Sequence, residues 1–339
     1  MPGGPHARRA ARQRPRTATE WPMIVALINP TASKGHAAEL AHALAGSSPR
    51  LRLVLTDAAD DVDRLVDSLL VEPAELLVIG GGDGTISNLL TRFDRAGHLD
   101  AVPPLLVLPA GHMNTVAQSL VGSRQPVQIA ERILDAWTRG VRRLHRMPVL
   151  RLSVDDEPIR VGVNCSLGAV ARLHRDYRAA HLRGLPGIAE VLARMAMQRV
   201  SGDCFEPILG PFEADGSAIP LSAVTAGVIS PLPGFMFALR PFPGVRNVSS
   251  DGLYTALAQL GQIAIQASLP AILRGRLRTE HMHHGRHHQL SWQNGPRPDL
   301  LVVDGEQTVL HAGARVTVAQ AATVRIVVWR SMPRVASES

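Results

Sequence analysis

Six consecutive residues, Gly80-Gly81-Gly82-Asp83-Gly84-Thr85, have the composition of a phosphate-binding loop. They lie between an apolar, strand-like run at 76–79 and a helix-like run at 86–90. Glycines let a backbone approach its ligand closely, and the free N–H groups at the start of a helix favour anions. The carboxylate of Asp83 would repel a phosphate, so it indicates a divalent cation that bridges the two or a base beside the transferred group. The loop therefore predicts phosphoryl chemistry and not nucleotide docking alone.

Three other short segments carry polar groups that suit the same chemistry, although each by itself is typical of an ordinary turn. They are Asn29-Pro30 with Lys34-Gly35, Pro109-Ala110-Gly111 with Asn114, and Asp304-Gly305-Glu306. The first two add amides and an ammonium group, and the last adds two carboxylates on a tight turn.

The elements around these segments predict where the segments meet. Strand-like runs at 23–28, 51–55, 76–79 and 105–108 alternate with helix-like runs at 36–44, 62–70 and 127–137. The alternation predicts an α/β nucleotide-binding domain, Rossmann-like, with a parallel sheet that binds ligands at the carboxyl ends of its strands. Three of those ends carry the polar, turn-rich segments.

The pattern changes near residue 145 to short alternating runs such as 150–154 and 160–163, separated by Gly- and Pro-rich turns. This pattern predicts a β-rich, antiparallel, sandwich-like second domain. We expect a disordered basic tail at 1–20, the nucleotide-binding domain at 22–145, the second domain at 146–331 and a flexible tail at 332–339. The last segment of the second domain can return to the first.

The order of the segments resembles the diacylglycerol kinase catalytic-domain family, which includes sphingosine kinases and bacterial lipid kinases and is similar to NAD kinases. The family's Asn-Pro turn, its Gly-Gly-Asp-Gly-Thr loop and its Pro-x-Gly-Thr-x-Asn segment resemble the segments that begin at Asn29, Gly81 and Pro109. Motifs of its second domain resemble the segments 164–168, 250–253 and 304–306.

The resemblance implies ATP-dependent phosphorylation of a hydroxyl on a diacylglycerol- or sphingoid-like lipid, in a cleft between the two domains. By position, the residues that would hold ATP are Asn29, Pro30, Gly81, Gly82, Asp83, Gly84, Thr85, Gly111, His112 and Asn114. Asp83, Asp304 and Glu306 are candidate catalytic residues and candidate Mg²⁺ ligands, because Mg²⁺ takes one or two carboxylates plus phosphate oxygens. Asp304 is the preferred base, but the sequence does not separate it from Asp83 in that role.

Several positions depart from the family's pattern. His112-Met113 stands where the family usually has Thr or Ser and a small residue, and Thr115 and Gln118 replace an Asp and an Arg that are common in diacylglycerol kinases. These departures weaken the case for diacylglycerol itself as the acceptor.

Composition narrows the class of protein and its partners. Aromatic residues make up 4% of the 339 residues, which argues against a base-stacking nucleic-acid platform. No run approaches the ~18 apolar residues of a membrane-spanning helix. The net charge of +7 includes five arginines within residues 8–16, which suit anionic lipid. We expect a cytoplasmic protein with reduced Cys165 and Cys204 that contacts a lipid substrate at a membrane surface, and a homo-oligomer is compatible with the sequence.

Two clusters leave their function open. The five histidines His281, His283, His284, His287 and His288 have one adjacent carboxylate, Glu280, and therefore favour a polar hairpin or a cleft-lining strand over a metal site. Four arginines at 172, 175, 178 and 183 precede a helix-like run at 186–199. That run is either an ordinary surface helix or an interfacial element at the lipid.

Two alternatives to a lipid kinase are a NAD kinase-like enzyme and a nucleotide-binding regulatory protein without transfer activity. The segments that begin at Asn29, Pro109 and Asp304 count against the first alternative. The changed residues around His112 keep the second one open.

Overall fold

The computed structural model describes residues 23–32, 36–48, 50–56, 59–111, 114–122, 125–179, 190, 205–235 and 239–329. Several features of the sequence analysis fall outside these ranges: both predicted tails, Lys34-Gly35, His112, the helix predicted at 186–199 except residue 190, and Cys204. Cys165 is a free, buried thiol, as expected.

The α-helices with described bounds are α1 (His36–Leu44), α2 (Ala59–Val71), α3 (Asp83–Arg95), α4 (Thr115–Leu120), α5 (Pro126–Thr138), α6 (Ala169–Ala179) and α7 (Gln262–Leu273). The strands of the first half are β1 (Ile24–Ile28), β2 (Leu51–Leu55), β3 (Leu76–Gly81), β4 (Leu105–Pro109), β5 (Leu144–Val154), β6 (Glu157–Gly162) and β7 (Cys165–Gly168). Those of the second half are β8 (Ile208–Leu209), β9 (Phe212–Ala214), β10 (Ser217–Ala218), β11 (Ala223–Val224), β12 (Ala226–Ser230), β13 (Leu253–Ala258), β14 (Met282–His287), β15 (Gln289–Gln293), β16 (Asp299–Val303), β17 (Glu306–Leu310) and β18 (Arg315–Val327).

The first four strands form the predicted parallel sheet, in the order β2-β1-β3-β4. Every residue of β1 and β3 is buried, because helices cover both faces of the sheet. Continuous Ile, Leu and Val runs are what such doubly covered strands require, so the sequence pattern and the packing agree.

The sheet does not stop at β4. The long strand β18 lies parallel to β4 at Ile326 and Leu105, and it pairs antiparallel with β5 and β15. The sheet is therefore mixed but mostly parallel in its first half. The domain boundary at 145/146 stays a prediction.

The second half adds an all-antiparallel sheet in the order β14-β13-β12-β7-β16-β17. Its inner face packs on the antiparallel end of the first sheet, and Leu167 and Leu301 share one apolar core with Leu152 and Trp292. The α/β first half and the antiparallel, sandwich-like second half confirm the predicted fold class.

Helix α3 joins the two halves beside the predicted site. The buried Ser87 hydroxyl donates to the Val161 carbonyl at 2.8 Å, and the Val161 N–H donates to the Thr91 hydroxyl at 3.0 Å. Asp94 of α3 pairs with Arg151 of β5. These contacts fix α3, which follows the glycine loop, against the strands β5 and β6.

Candidate active site

In the glycine loop, the Thr85 side chain lies so close to Gly81 that a side chain at 81 would collide with it. A Cβ atom at Gly81 would lie 2.5 Å from Thr85 Oγ1 and 2.8 Å from Thr85 Cβ. Gly82 is the N-cap of α3 and supplies no side-chain cap to it. The first turn of α3 is therefore left without an N-cap acceptor, and such N-terminal N–H groups bind anions readily.

A second loop, at 109–114, meets the first one backbone to backbone. A Cβ atom at Gly111 would lie 2.2 Å from Gly82 Cα and 2.7 Å from Gly82 N. The two loops form one cradle, and any side chain at Gly111 would enter it. Asn114 holds this loop in shape: it has φ 51, its Oδ1 accepts from Gly111 N and its Nδ2 donates to Gly111 O, both at 2.7 Å.

Asp83 connects the two loops through its carboxylate. Oδ2 accepts from Thr115 N at 3.0 Å and Oδ1 accepts from Val116 N at 3.1 Å, so Asp83 caps the start of α4. Burial raises the pKa of Asp83, and the hydrogen bonds from Val116 and Thr115 oppose that rise. The backbone of Thr115 thus has a defined role here whatever its side chain, although the sequence comparison marks it as a departure.

Asn29, at the end of β1, lies beside the glycine loop and adds a third segment to the cradle. Its Oδ1 accepts from the Thr31 N–H at 3.0 Å and from the Thr31 hydroxyl at 2.7 Å, which forms the turn at Pro30. Its Nδ2 lies 3.5 Å from Thr85 Oγ1. The structure therefore brings Asn29 and the glycine loop together, as the parallel sheet predicted.

Asp304 reaches the site from the second half of the chain. It has φ 48 and Gly305 has φ 90, which is the geometry of a two-residue Asp-Gly hairpin between β16 and β17. Its carboxylate is 7% exposed and accepts from Val163 N at 2.7 Å, from Asn164 N at 3.0 Å and from Asn164 Nδ2 at 3.1 Å. Asn164 is held in turn by the buried Ser230 hydroxyl at 2.7 Å.

The charge of Asp83 acts on the buried Asp304. Burial, and after it the charge of Asp83, raise the pKa of Asp304 to about 7, while the donors at Val163 and Asn164 oppose the rise. The sheets thus bring together two carboxylates that are 221 positions apart in sequence (304 − 83). A pair of this kind is favourable when it shares a proton or faces a cation.

Glu306 lies beside the same loop. A Cβ atom at Gly84 would be 3.4 Å from Glu306 Oε1 and 3.5 Å from the Asp304 carbonyl oxygen, which are ordinary contact distances. The hairpin that carries both carboxylates therefore packs on the first turn of α3. Of the predicted site residues, all except His112 lie in the described part of the chain, and the contacts above link Asn29, the glycine loop, Gly111, Asn114, Asp304 and Glu306 around one cleft.

Residues 23–145, which contain three of the four cleft segments, match the model of the diacylglycerol kinase catalytic domain. The resemblance inferred from the motifs is confirmed. No curated protein sequence matches the chain.

Two solved structures resemble the chain over most of its length. A provisionally assigned diacylglycerol kinase from Bacillus anthracis str. Sterne is 16% identical with a TM-score of 0.65, and the match covers 91% of this chain and 98% of that one. A second diacylglycerol kinase from the same organism is 14% identical with a TM-score of 0.59, over 91% and 97% of the two chains. At these identities the likeness establishes a shared fold and nothing more.

The match of residues 23–145 to this family implies ATP, and the glycine cradle fits a phosphate chain because a Cβ would fill it at Gly81 and Gly111. Mg²⁺ is implied as well. Within the described ranges, no three His, Cys, Asp or Glu side chains converge on one point. The carboxylates of Asp83 and Asp304 nevertheless fit Mg²⁺, which needs one or two protein carboxylates when phosphate oxygens and water complete its shell.

Two residues of the site escaped the sequence analysis as site residues. Gly162 makes room for the aspartate, because a Cβ there would lie 2.4 Å from Asp304 Oδ2. Asn164 orients the same carboxylate. The sequence does contain a signal for Gly162, because a glycine inside a strand-like run indicates that another group approaches the backbone closely. Asn164 was noted only as part of a family motif.

The raised pKa of Asp304 predicts a pH dependence of stability in nucleotide-free protein kept in EDTA. A carboxyl with a raised pKa binds its proton more tightly in the folded state, so its contribution is complete below the unfolded pKa of about 4 and is lost as the pH rises through about 7. We expect the free energy of unfolding to fall over this range, and to fall less in Asp304→Asn, when urea denaturation is measured at each pH. The pKa of Asp83 is raised as well, so the free energy of unfolding of Asp304→Asn is still expected to fall somewhat as the pH rises. Identical profiles for the two proteins would contradict the burial of a titrating Asp304.

Proposed function

We propose that the protein is an ATP-dependent lipid kinase that transfers the γ-phosphate to a hydroxyl of a diacylglycerol- or sphingoid-like lipid. The observation that carries the proposal is the position of Asp304. Val163 and Asn164 hold its buried carboxylate beside the glycine loop that contains Asp83. A phosphate-binding loop alone is compatible with any nucleotide-binding protein. A carboxylate base on the opposite wall of the cleft is what the transfer of a phosphoryl group to a hydroxyl requires.

Each wall of the cleft has a distinct task in this mechanism. The first turn of α3 and the loop at Gly111 bind the phosphates of ATP through backbone N–H groups and set their position. Asp304 accepts the proton of the lipid hydroxyl, whose oxygen forms a bond to the γ-phosphorus while the bond to the ADP oxygen breaks. Phosphoryl transfer depends on such positioning and on charge neutralisation. Mg²⁺ held by Asp83, Asp304 or Glu306 would supply that neutralisation.

Asp304 suits the role of base better than Asp83. Both carboxylates accept backbone hydrogen bonds at each oxygen, Asp83 from α4 and Asp304 from Val163 and Asn164, so the choice rests on position and pKa. Asp304 sits on the hairpin that faces the loop, and a base with a pKa near neutrality is effective at neutral pH.

The test is a transfer assay with γ-labelled ATP, Mg²⁺ and three acceptors: diacylglycerol in mixed micelles, sphingosine in mixed micelles, and NAD. Label in either lipid supports the proposal and identifies the acceptor class. Label in NADP would overturn it in favour of a NAD kinase-like enzyme. ATP binding by calorimetry without transfer to any acceptor would overturn it in favour of a regulatory protein.

Contact with a lipid surface is part of the proposal, and α7 has a suitable surface for it. The helix contains no charged residue, and Ile263 on it is 75% exposed. Three arginines, Arg274, Arg276 and Arg278, follow it directly. An exposed apolar helix beside cations matches the apolar interior and the anionic headgroups of a bilayer surface. No helix in the described residues is long and apolar enough to cross a membrane.

Replacing Ile263 with glutamate is expected to weaken binding to anionic vesicles by roughly tenfold, because a buried carboxylate opposes insertion and is repelled by the headgroups. Co-sedimentation with phosphatidylglycerol vesicles measures this effect. Val309→Glu is the matched control, since Val309 on β17 is 74% exposed. Equal losses in both variants would contradict docking through α7.

A further inference from the structure

The histidine cluster contains one pair of side chains whose geometry sets it apart. Nε2 of His283 lies 2.9 Å from Nε2 of His287, on the edge strand β14. Their ring centroids are 5.1 Å apart and the ring planes differ by 22°. The two nitrogens therefore point at each other, and in the free protein one proton lies between them, since one imidazole nitrogen must donate and the other accept.

The strand is built to let these rings meet. Gly285 stands between the two histidines on the same face, and a Cβ atom there would lie 2.1 Å from His287 Nε2. Any other residue at 285 would occupy the place of that nitrogen. The absent side chain at 285 is what allows the imidazoles at 283 and 287 to converge.

A buried hydroxyl lies next to the pair. Thr255 is directly opposite Gly285 on β13, so the two residues share a face of the sheet, and directly opposed Cβ positions are about 4.5–5.5 Å apart. His287 Nε2 lies 2.1 Å from where the Cβ of residue 285 would be, so it lies on the face of the sheet that Thr255 shares. Thr255 is 1% exposed, and within the described residues its Oγ1 has no hydrogen-bond partner. Buried hydroxyls normally have one, so this atom is available to a ligand.

A carboxylate from a distant turn orients one of the rings. Asp215 Oδ2 lies 3.2 Å from His287 Nδ1, while its Oδ1 accepts from His288 N and Gln289 N at 2.9 Å. A carboxylate on Nδ1 keeps the proton there and leaves Nε2 as the free, more basic nitrogen, which is the arrangement found behind metal-binding histidines. Asp215 is 72 positions away in sequence, so the cluster alone gave no sign of it.

We propose that His283 and His287 form a binding site for a divalent transition metal ion of the zinc class, with Asp215 behind His287 and the Thr255 hydroxyl beside the ion. The ion takes the place of the shared proton between the two Nε2 atoms, and the proton of His283 moves to its Nδ1. Zinc–nitrogen bonds of about 2.0–2.1 Å in a tetrahedral arrangement place two nitrogens about 3.4 Å apart, so the rings need to separate by only about 0.5 Å.

The surroundings of the pair admit such an ion. β14 is the last strand of its sheet, so the site is open along one edge, and the His287 side chain is 19% exposed. Arg286 and His284 alternate with the pair and project from the opposite face. Two imidazoles leave the remaining positions to Thr255 and water, which predicts an exchangeable ion and not a structural one.

Zinc titration of the tag-free, full-length protein after EDTA treatment and dialysis tests the site. Calorimetry is expected to show one bound Zn²⁺ that is lost, or bound at least tenfold more weakly, in His283→Gln and in His287→Gln. His281→Gln is the matched control because His281 belongs to the same cluster but is exposed and lies near Glu280 instead. It is expected to bind as the wild type does.

A geometric variant separates this site from zinc bound elsewhere, including the carboxylates of the active site. Gly285→Ala keeps both histidines but displaces the His287 ring, so it is expected to lose the same Zn²⁺ while its melting temperature without metal stays close to that of the control. Zinc is also expected to raise the melting temperature of the wild type and not that of His287→Gln. Equal zinc stoichiometry and affinity in wild type, His283→Gln and His287→Gln would overturn the proposal and leave a simple hydrogen-bonded pair.

Discussion

Asp304→Asn is expected to lower the turnover of lipid phosphorylation by about 10²–10⁴-fold, the usual contribution of a general base. The amide cannot accept the hydroxyl proton. It also turns an NH₂ group toward the N–H of Val163 or of Asn164, where the carboxylate now accepts. ATP affinity is expected to change much less than turnover, because the phosphate cradle lies on the other wall of the cleft. Steady-state kinetics with the labelled lipid and calorimetry with ATP measure the two effects.

A loss of stability accompanies this substitution, because a donor facing a donor in a buried site costs about 1–3 kcal/mol. Ser230→Ala is the control for that effect. It removes the hydroxyl that holds Asn164 and leaves the carboxylate in place. We expect it to be destabilised but to keep turnover within a few-fold of wild type at a temperature where both variants are folded. A Ser230→Ala variant as inactive as Asp304→Asn would assign Asp304 a structural role only.

Gly111→Ala is expected to abolish measurable ATP binding and to destabilise the fold by about 1–3 kcal/mol, as an overpacked contact does. The new methyl group would lie 2.2 Å from Gly82 Cα, and neither backbone can move without displacing the cap that Asp83 places on α4. Urea denaturation and calorimetric titration with ATP test both parts.

Gly82, the other glycine of this contact, provides the control. A methyl group at Gly82 would lie 3.5 Å from Gly111 Cα, an ordinary contact, and Gly82 has φ −90, which alanine adopts freely. Gly82→Ala is therefore expected to stay within about 1 kcal/mol of wild-type stability. Equal destabilisation of the two variants would mean that the loops do not meet as the structure places them.

The histidine cluster shows which contacts a local sequence pattern predicts and which it does not. Five histidines with one neighbouring carboxylate favoured a polar strand, and β14 is indeed a strand that ends in the cluster. The pairing of His283 with His287 across Gly285 follows from strand geometry, in which alternate residues share a face. The contributions of Thr255 and Asp215 come from another strand and another turn, and no spacing along the sequence reveals them.

The sequence by itself determined the elements and the chemistry of the loops. Apolar runs long enough for buried strands fixed β1, β3 and β4, and glycine with an isolated aspartate after β3 indicated phosphate chemistry, because both signals arise from residues close together in the chain. Only the tertiary structure decided what the carboxylates do. In the folded protein both oxygens of Asp83 accept from α4, Asp304 accepts from Val163 and Asn164, and the charge of Asp83 raises the pKa of Asp304. Such contacts depend on how the sheets pack and on which distant strands pair, as β18 pairs with β4. These arrangements follow from the packing of whole elements and not from the spacing of residues along the sequence.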